Sequence, residues 1–304
     1  MTKTTFCTII TADFIPYALT LHESLRAQDE TTELNVLISD KKTEIVSLPS
    51  SKNNLTFTFA EDVCKQGVAK KVWDKYAAMD MDRFRWSMKP IFIGYLIEEH
   101  GYDKVLFSDP DIVFFDEFDF LIDNLDAFDI LLTPHWRSSD REKDPQNFDL
   151  LYVGGLFNGG FVGVNRGGLA AMKWWAKACE SVCEKDFSKG RYVDQTHLNL
   201  LPILFDNVKI VKHKGCNVAN WNQVDCPRVL GANGEVLIEG KWPIVFIHFT
   251  ESTVHGIEAG KDLLLKRYFE KQQKMLRRNG WNPQESKKIE SWKLFPGRLA
   301  KLFR

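Results

Sequence analysis

The sequence predicts an α/β fold, a mixed sheet flanked by helices, and three observations carry that prediction. Hydrophobic runs of strand length alternate with segments of helical spacing through the first half. One run, Lys104-Val105-Leu106-Phe107, is continuous, as in a strand covered on both faces. Glycine pairs and a polar stretch give the second half a less regular texture.

The elements follow in order. Phe6 to Ile10 is rich in strand formers. Ile15 to Gln28 repeats apolar residues at helical spacing through Ala18, Leu19 and Leu25. Leu34 to Ile38 is the next strand, ending at Ser39-Asp40, and Leu55 to Phe59 is another. Tyr76 to Arg85 shows no clear period. Lys89-Pro90 reads as the start of a helix over Ile91 to His100, because a first turn tolerates proline, and Gly101 reads as its stop. Phe128 to Thr133 is a strand, Arg137 to Asp149 a polar loop or lid, and Gly154 to Val164 a glycine-rich strand. Helical spacing resumes from Leu169 to Cys183 and again from Tyr192 to Leu204. Val208 to Val211 and Ile244 to Phe249 are the last strands. There is no internal repeat and no low-complexity linker.

Composition narrows the function classes. The 304 residues are 44% hydrophobic and 27% charged, enough to bury a sizeable core. A net charge of −1 gives no global attraction to nucleic acid, and no nucleic-acid partner is expected. From Lys261 to Arg304, however, 13 Lys or Arg stand against 4 Asp or Glu. Trp281, Trp292, Phe295 and Phe303 lie among them. Basic and aromatic residues together suit peripheral contact with an anionic membrane. A docked helix with a solvated basic face is the competing reading. Six cysteines without a CxxC pair point to reduced thiols in a cytoplasmic protein. No apolar run reads as a signal peptide or a membrane span.

The strongest chemical signal is Ser108-Asp109-Pro110-Asp111. Two carboxylates one residue apart, just past a buried strand, can converge on one hard cation at the edge where open α/β sheets bind ligands. Read alone, the same four residues are also an ordinary acidic turn. His248 closes another hydrophobic run and offers a third ligand; a half-buried hydrogen-bonded histidine is the bland alternative.

The order of motifs resembles the GT-A nucleotide-sugar transferases, and within them glycosyltransferase family eight and its bacterial relatives. The pieces are Thr8 to Asp13, Arg85 to Pro90, Val105 to Asp111, Phe157 to Phe161, Asp194 to Asn199, and His248-Phe249. Where the family often carries a Lys-Pro-Trp-like stretch after the histidine, this chain has Thr250 to Gly256.

The resemblance implies a GT-A-type, Rossmann-like mixed sheet over residues 1–255. Residues 1–115 would bind the nucleotide and 116–255 the donor sugar and acceptor, with 256–304 a basic helical extension. It implies that Asp109, Asp111 and His248 hold Mn²⁺ or Mg²⁺. Thr11, Ala12 and Asp13 would meet the uracil and ribose, with Asp40 nearby and Ser108 in the same donor-binding set. Lys89 would neutralise the leaving diphosphate, in competition with Arg83 and Arg85. Asn158, Gly159 and Gly160 would let backbone approach the sugar. Asp194 and Gln195 would lie beside the reacting carbon, although Asp194 also reads as a helix N-cap. Trp136 and Trp221, in polar surroundings, are the tryptophans expected near a site.

The expected reaction moves a hexosyl group from a UDP-sugar to a hydroxyl of a glycan or lipid-linked acceptor. The resemblance favours retention at the anomeric carbon, with Asp194 as a general base in an inverting enzyme as the alternative; the expected setting is bacterial surface polysaccharide synthesis at the inner face of the membrane. Two other classes compete. A nucleotidyltransferase would carry a basic glycine-rich loop after the first strand, and Thr11 to Tyr17 lacks one. The third class is a non-catalytic nucleotide- or glycan-binding protein. The oligomeric state stays open.

Overall fold

Alternation along the first strand explains how the sheet is covered. In β1 (Thr4–Ile10), Cys7 and Ile9 face one core cluster while Phe6 and Ile10 face another. Helices Met81–Glu98 and Leu169–Ser181 close the first face through Phe92, Leu96 and Trp175. Helices Ile15–Arg26 and Asp119–Ala127 close the second through Leu21, Leu25 and Leu121. The computed structural model describes residues 2–45, 48–49 and 54–282.

The remaining strands are β2 (Leu34–Ile38), β3 (Leu55–Phe59), β4 (Lys104–Ser108), β5 (Ile112–Phe114), β6 (Ile130–Pro134) and β7 (Phe157–Asn165). A short hairpin, β8 (Lys185–Asp186) with β9 (Arg191–Tyr192), precedes β10 (Val208–Ile210). A small antiparallel sheet of β11 (Arg228–Leu230), β12 (Val236–Ile238) and β13 (Trp242–Pro243) leads to β14 (Phe246–His248). The main sheet has seven strands in the order β10-β6-β7-β4-β1-β2-β3. β7 runs antiparallel to β4 and β6, so the sheet is mixed, as expected.

From β1 the chain moves outward to β2 and β3, then returns to β4 on the other side of β1. That reversal opens a crevice at the carboxyl ends of β1 and β4, where Thr11 and Asp109 begin their loops. β5 then pairs with β14 away from the main sheet, bringing His248 opposite Ile112.

Three expected elements differ. The helix expected from Ile91 starts at Met81, capped by Asp80, whose side chain accepts the Arg83 N–H, and Pro90 lies in its interior. Proline has no N–H, so the Trp86 carbonyl loses its usual helical partner one turn before Pro90. The second part of the expected polar loop is helix Pro145–Val153, capped by the Asp144 side chain. The helix expected over Tyr192 to Leu204 is instead β9, a 3-10 segment Gln195–Leu200 and one α-turn, Leu201–Leu204.

Of the basic tail, Lys266–Arg278 is an amphipathic helix docked on the first helix. Met275 and Leu276 turn inward, Arg278 pairs with Glu23, and the Asn279 amide donates to Thr20 and Glu23 at 3.1 Å each. Lys266, Arg267, Lys271, Lys274 and Arg277 stay exposed. Residues 283–304, with Trp292, Phe295 and Phe303, lie outside the described residues. No helix among the described residues is long and apolar enough to cross a membrane. All six cysteines are free and buried.

Candidate functional site

The acidic corner forms because the chain turns sharply after β4. The Asp109 N–H donates to the Gly160 carbonyl at 2.7 Å, and the Ile112 N–H returns to the Asp109 carbonyl at 3.1 Å. The Phe249 N–H donates to the Asp111 carbonyl at 2.9 Å, tying the turn to the end of β14. His248 is thereby aimed at both carboxylates: Nε2 lies 3.0 Å from Asp111 and 3.9 Å from Asp109. One ligand atom from each of the three residues falls within 4.8 Å of the others. Two carboxylates and an imidazole form a donor set suited to a divalent cation. Burial would lower the His248 pKa, but Asp111 and Asp109 outweigh it and hold the ring above its ordinary value. Asp111, despite burial, is held below the usual carboxylate range by His248. A cation binding here would displace the imidazole proton.

Gly160 shows how tightly the corner is built. A Cβ at this position would lie 2.5 Å from His248 Cε1, 2.6 Å from Asn158 Oδ1 and 2.9 Å from Asp109 Oδ2. Gly160→Ala should therefore push His248 and Asp109 apart. The expected result is loss of divalent-ion binding in calorimetry with far-ultraviolet circular dichroism unchanged. Wild-type metal affinity in that variant would refute the cradle.

Lys89 projects from helix Met81–Glu98 into the same corner and is only 5% exposed. Its ammonium lies 3.2 Å from Asp109 Oδ1 and 3.5 Å from Asp194 Oδ2, and donates to the Gly159 carbonyl at 2.9 Å. Burial alone would push its pKa down; the two carboxylates overcome burial and hold it above the ordinary lysine value. Arg83 and Arg85, its competitors in the sequence, pair instead with Asp80 and Asp82 on their own helix.

Asp194 is 1% exposed and stands at the N-cap position of the 3-10 segment, but its side chain makes no capping hydrogen bond. Burial lifts its pKa to about 6 against the opposing pull of Lys89. The residue before it, Val193, has φ 49. A β-branched residue in that region is strained. The conformation is held from both sides: the Val193 N–H donates to Glu184 at 2.9 Å, and Trp175 Nε1 donates to the Asp194 carbonyl at 3.0 Å. Gln195 braces the glycine strand, accepting the Gly159 N–H at 2.9 Å and donating to the Gly154 carbonyl at 2.5 Å.

Asn158 fixes the far wall. Its Oδ1 accepts the Gly160 N–H at 2.7 Å, and its Nδ2 lies 3.2 Å from His135 Nε2. The amide donates there, which leaves His135 neutral, consistent with burial holding its pKa well below the ordinary value. Trp221 stacks edge-on against both His135 and His248, with ring centroids 5.3 and 5.4 Å away. Trp221 thus lines the cleft, but it is buried, not exposed. Trp136 instead packs on the third core cluster beneath Lys214.

The remaining expected residues stand around the crevice. The Asp40 carboxylate accepts the Ala12 N–H at 2.7 Å, joining the ends of β1 and β2, and burial raises its pKa. Asp13 is exposed, Thr11 and Ala12 are half-buried, and Arg85 is close enough to act electrostatically on Asp40. Ser108 lies wholly buried beneath the floor, its hydroxyl without a partner among the described residues. Sequence reasoning missed Trp86, Lys185 and Tyr192, which line the cleft, and Tyr17, whose hydroxyl feels Asp111. Trp86 lies within the Arg85 to Pro90 motif but was given no role there, and Lys185, Tyr192 and Tyr17 belong to no charged pair or motif that spacing could reveal.

Sheet order, crevice and acidic corner define a GT-A fold. The chain matches the crystal structure of galactosyltransferase LgtC in complex with donor and acceptor sugar analogs, with a TM-score of 0.50 at 13% identity, covering 93% of this chain and 98% of that one. In sequence it is 22% identical over 261 residues to the uncharacterized protein YfnF of Bacillus subtilis (strain 168), covering 85% of this chain and 84% of YfnF. It is 25% identical over 255 residues to YfnD of the same organism, covering 82% and 78%. No protein-family model matches the chain.

Proposed function

We propose that the chain is a metal-dependent glycosyltransferase that moves a hexosyl group from a UDP-sugar to a hydroxyl of a glycan or lipid-linked acceptor. The observation that carries this reading is the convergence of Asp109, Asp111, His248, Lys89 and Asp194 at the sheet's switch point. LgtC, which shares the fold, was crystallised with donor and acceptor sugar analogs, and that supports the same substrate classes here. Mn²⁺ or Mg²⁺ held by Asp109, Asp111 and His248 would supply Lewis-acid compensation for the leaving diphosphate. The loops at Thr11 to Asp13 and Asp40, with Arg85, would receive the nucleoside.

Lys89 serves the reaction by fixing Asp109 and Asp194 relative to each other. The leaving diphosphate also gains from its fixed positive charge. Asp194 orients a hydroxyl of the transferred sugar, and Gln195 keeps the glycine strand close enough for backbone contact. Retention of anomeric configuration, which the family resemblance implies, is the reading we favour, and the ion pair of Asp194 with Lys89 supports it over a free inverting base. Surface-polysaccharide assembly at the inner membrane face would give the basic helix Lys266–Arg278 a purpose.

The test is a screen of UDP-sugars for metal-dependent hydrolysis, with melting of the protein followed alongside. Turnover of no UDP-sugar, together with no metal-dependent rise in melting on adding UDP, would sink the proposal.

Asp194 adds a pH signature. Its proton leaves near pH 6, so transfer that needs the carboxylate should rise through that pH. Asp194→Asn should be slow and lack this acid limb in a kcat/KM profile; an identical limb in the variant would assign it elsewhere. Between about pH 4 and 6 the folded chain holds this proton and the unfolded chain does not, so this group's contribution to stability falls as pH rises across that window.

A further inference from the structure

The cleft, about 490 Å³, has two unlike regions. Around the metal corner every charge has a countercharge: Lys89 with Asp109 and Asp194, His248 with Asp111. Farther along stand two cations, Arg137 and Lys185, both neighbours of Tyr192. Among the described residues neither forms an ion pair with a carboxylate. Arg137 Nη1 donates to the Asn147 side chain, whose amide passes on to Asp144 at 2.7 Å, while its buried Nε has no partner. Burial draws its pKa down to about 10, so it remains charged at neutral pH. Lys185 rests on ring faces, 5.0 Å from Tyr192 and 5.7 Å from Phe187.

The backbone is bent to put Arg137 there. The β6–β7 register slips between Leu132 and Pro134, a bulge of the kind that re-aims side chains. Trp136, immediately before Arg137, has φ 54, a conformation costly for a bulky residue. Arg137 ends up over the Trp221 ring at 5.9 Å and beside Gly154, whose carbonyl Gln195 holds. It borders the sugar side of the cleft.

A partly buried guanidinium with an unused donor, whose nearest protein carboxylate, Asp144, is reached only through Asn147, is a poor match for a neutral sugar and a good one for a carboxylate or phosphate. We propose that the carbohydrate part of the substrate carries an acidic group, bound by Arg137 with Lys185 alongside. This rests on the transferase reading above. The acidic group sits either on the transferred sugar or on the acceptor.

Calorimetry on the full chain with Mn²⁺ separates the two sources. Donor-side probes are UDP, UDP-glucose and UDP-glucuronic acid. Acceptor-side probes, added with UDP present, are methyl glucoside against methyl glucuronide and glucose against glucose 6-phosphate. We expect an acidic probe on one side to bind about tenfold or more tighter than its neutral twin. Arg137→Gln should erase that ratio and leave UDP affinity as it was, and Arg137→Lys should keep part of it. Lys185→Gln, at an exposed position that folding does not need, should weaken the same probe alone. Equal binding of acidic and neutral twins on both sides, with UDP bound normally, overturns the inference and leaves the transferase reading standing. An equal loss of UDP and acidic-probe affinity in Arg137→Gln also overturns it, because Arg137 would then serve the diphosphate. UDP failing to bind the wild type sinks the transferase reading first.

Discussion

Asp111→Asn is expected to lose metal-dependent UDP binding and about 10²–10³-fold in sugar transfer, while the chain still folds. Asp111 and Asp109 are the oxygen donors of the corner, and Asp111 also sits 3.0 Å from His248. Without that carboxylate the buried imidazole loses the chief group that holds its pKa up, and burial pulls it down against Asp109 alone. One charged donor and one neutral ring make a much weaker divalent site. Asp109→Ala should behave alike, with an added cost because Lys89 loses its nearer partner. Melting curves give the readout. A ligand present at a hundred times its Kd stabilises by about 2.7 kcal/mol, a shift of several degrees, and Mn²⁺ with UDP should give that shift only in the wild type. Equal shifts in the wild type and both variants would rule out a metal role for this pair.

Lys89→Met is expected to be the most destabilising single change in the site, by about 3–5 kcal/mol, and to abolish transfer. The ammonium is the only cation between Asp109 and Asp194 among the described residues, and Asp194 is almost completely buried. Its removal leaves an uncompensated buried carboxylate, which responds by keeping its proton to higher pH. The control is a double variant. Lys89→Met with Asp194→Asn removes the stranded charge and should recover much of the stability but none of the transfer. Chemical denaturation of the three proteins decides it. A double variant no more stable than Lys89→Met alone would mean that the lysine matters through packing and its bond to the Gly159 carbonyl, not through charge.

The acidic pair and His248 were legible because each stands beside a strong local pattern, whereas Lys89 and Asp194 were singled out by the family resemblance. Asp109 follows a continuous hydrophobic run, His248 ends another, and the ends of buried strands are where open sheets gather ligands. The helix carrying Lys89 was misread at its start. Pro90 looked like a first-turn proline, whereas Asp80 is the cap and the helix tolerates Pro90 inside. Asp194 does stand at a cap position, but beside the strained Val193 its side chain lines the cleft and makes no capping bond. Such strain comes from tertiary contacts, here Glu184 and Trp175, and leaves no mark in residue type. Arg137 and Lys185 were invisible for a similar reason. Their meaning lies in the direct ion pairs they do not form among the described residues, a property of the folded surroundings. Ser108 was grouped with the donor set by its place next to Asp109, yet strand alternation sends its side chain into the core.

The separation of β5 and β14 from the main sheet bears on the order in which a nascent chain acquires its parts. Every strand of the seven-stranded sheet lies at or before Ile210, while His248 emerges later, after the small antiparallel sheet. A chain leaving the ribosome can therefore complete its scaffold before His248, the third of the candidate metal donors, has been made. If the proposed site holds a cation, competence to bind it is a late marker of synthesis, distinct from collapse of the core, and a chain ended before residue 246 would be sheet-complete without it.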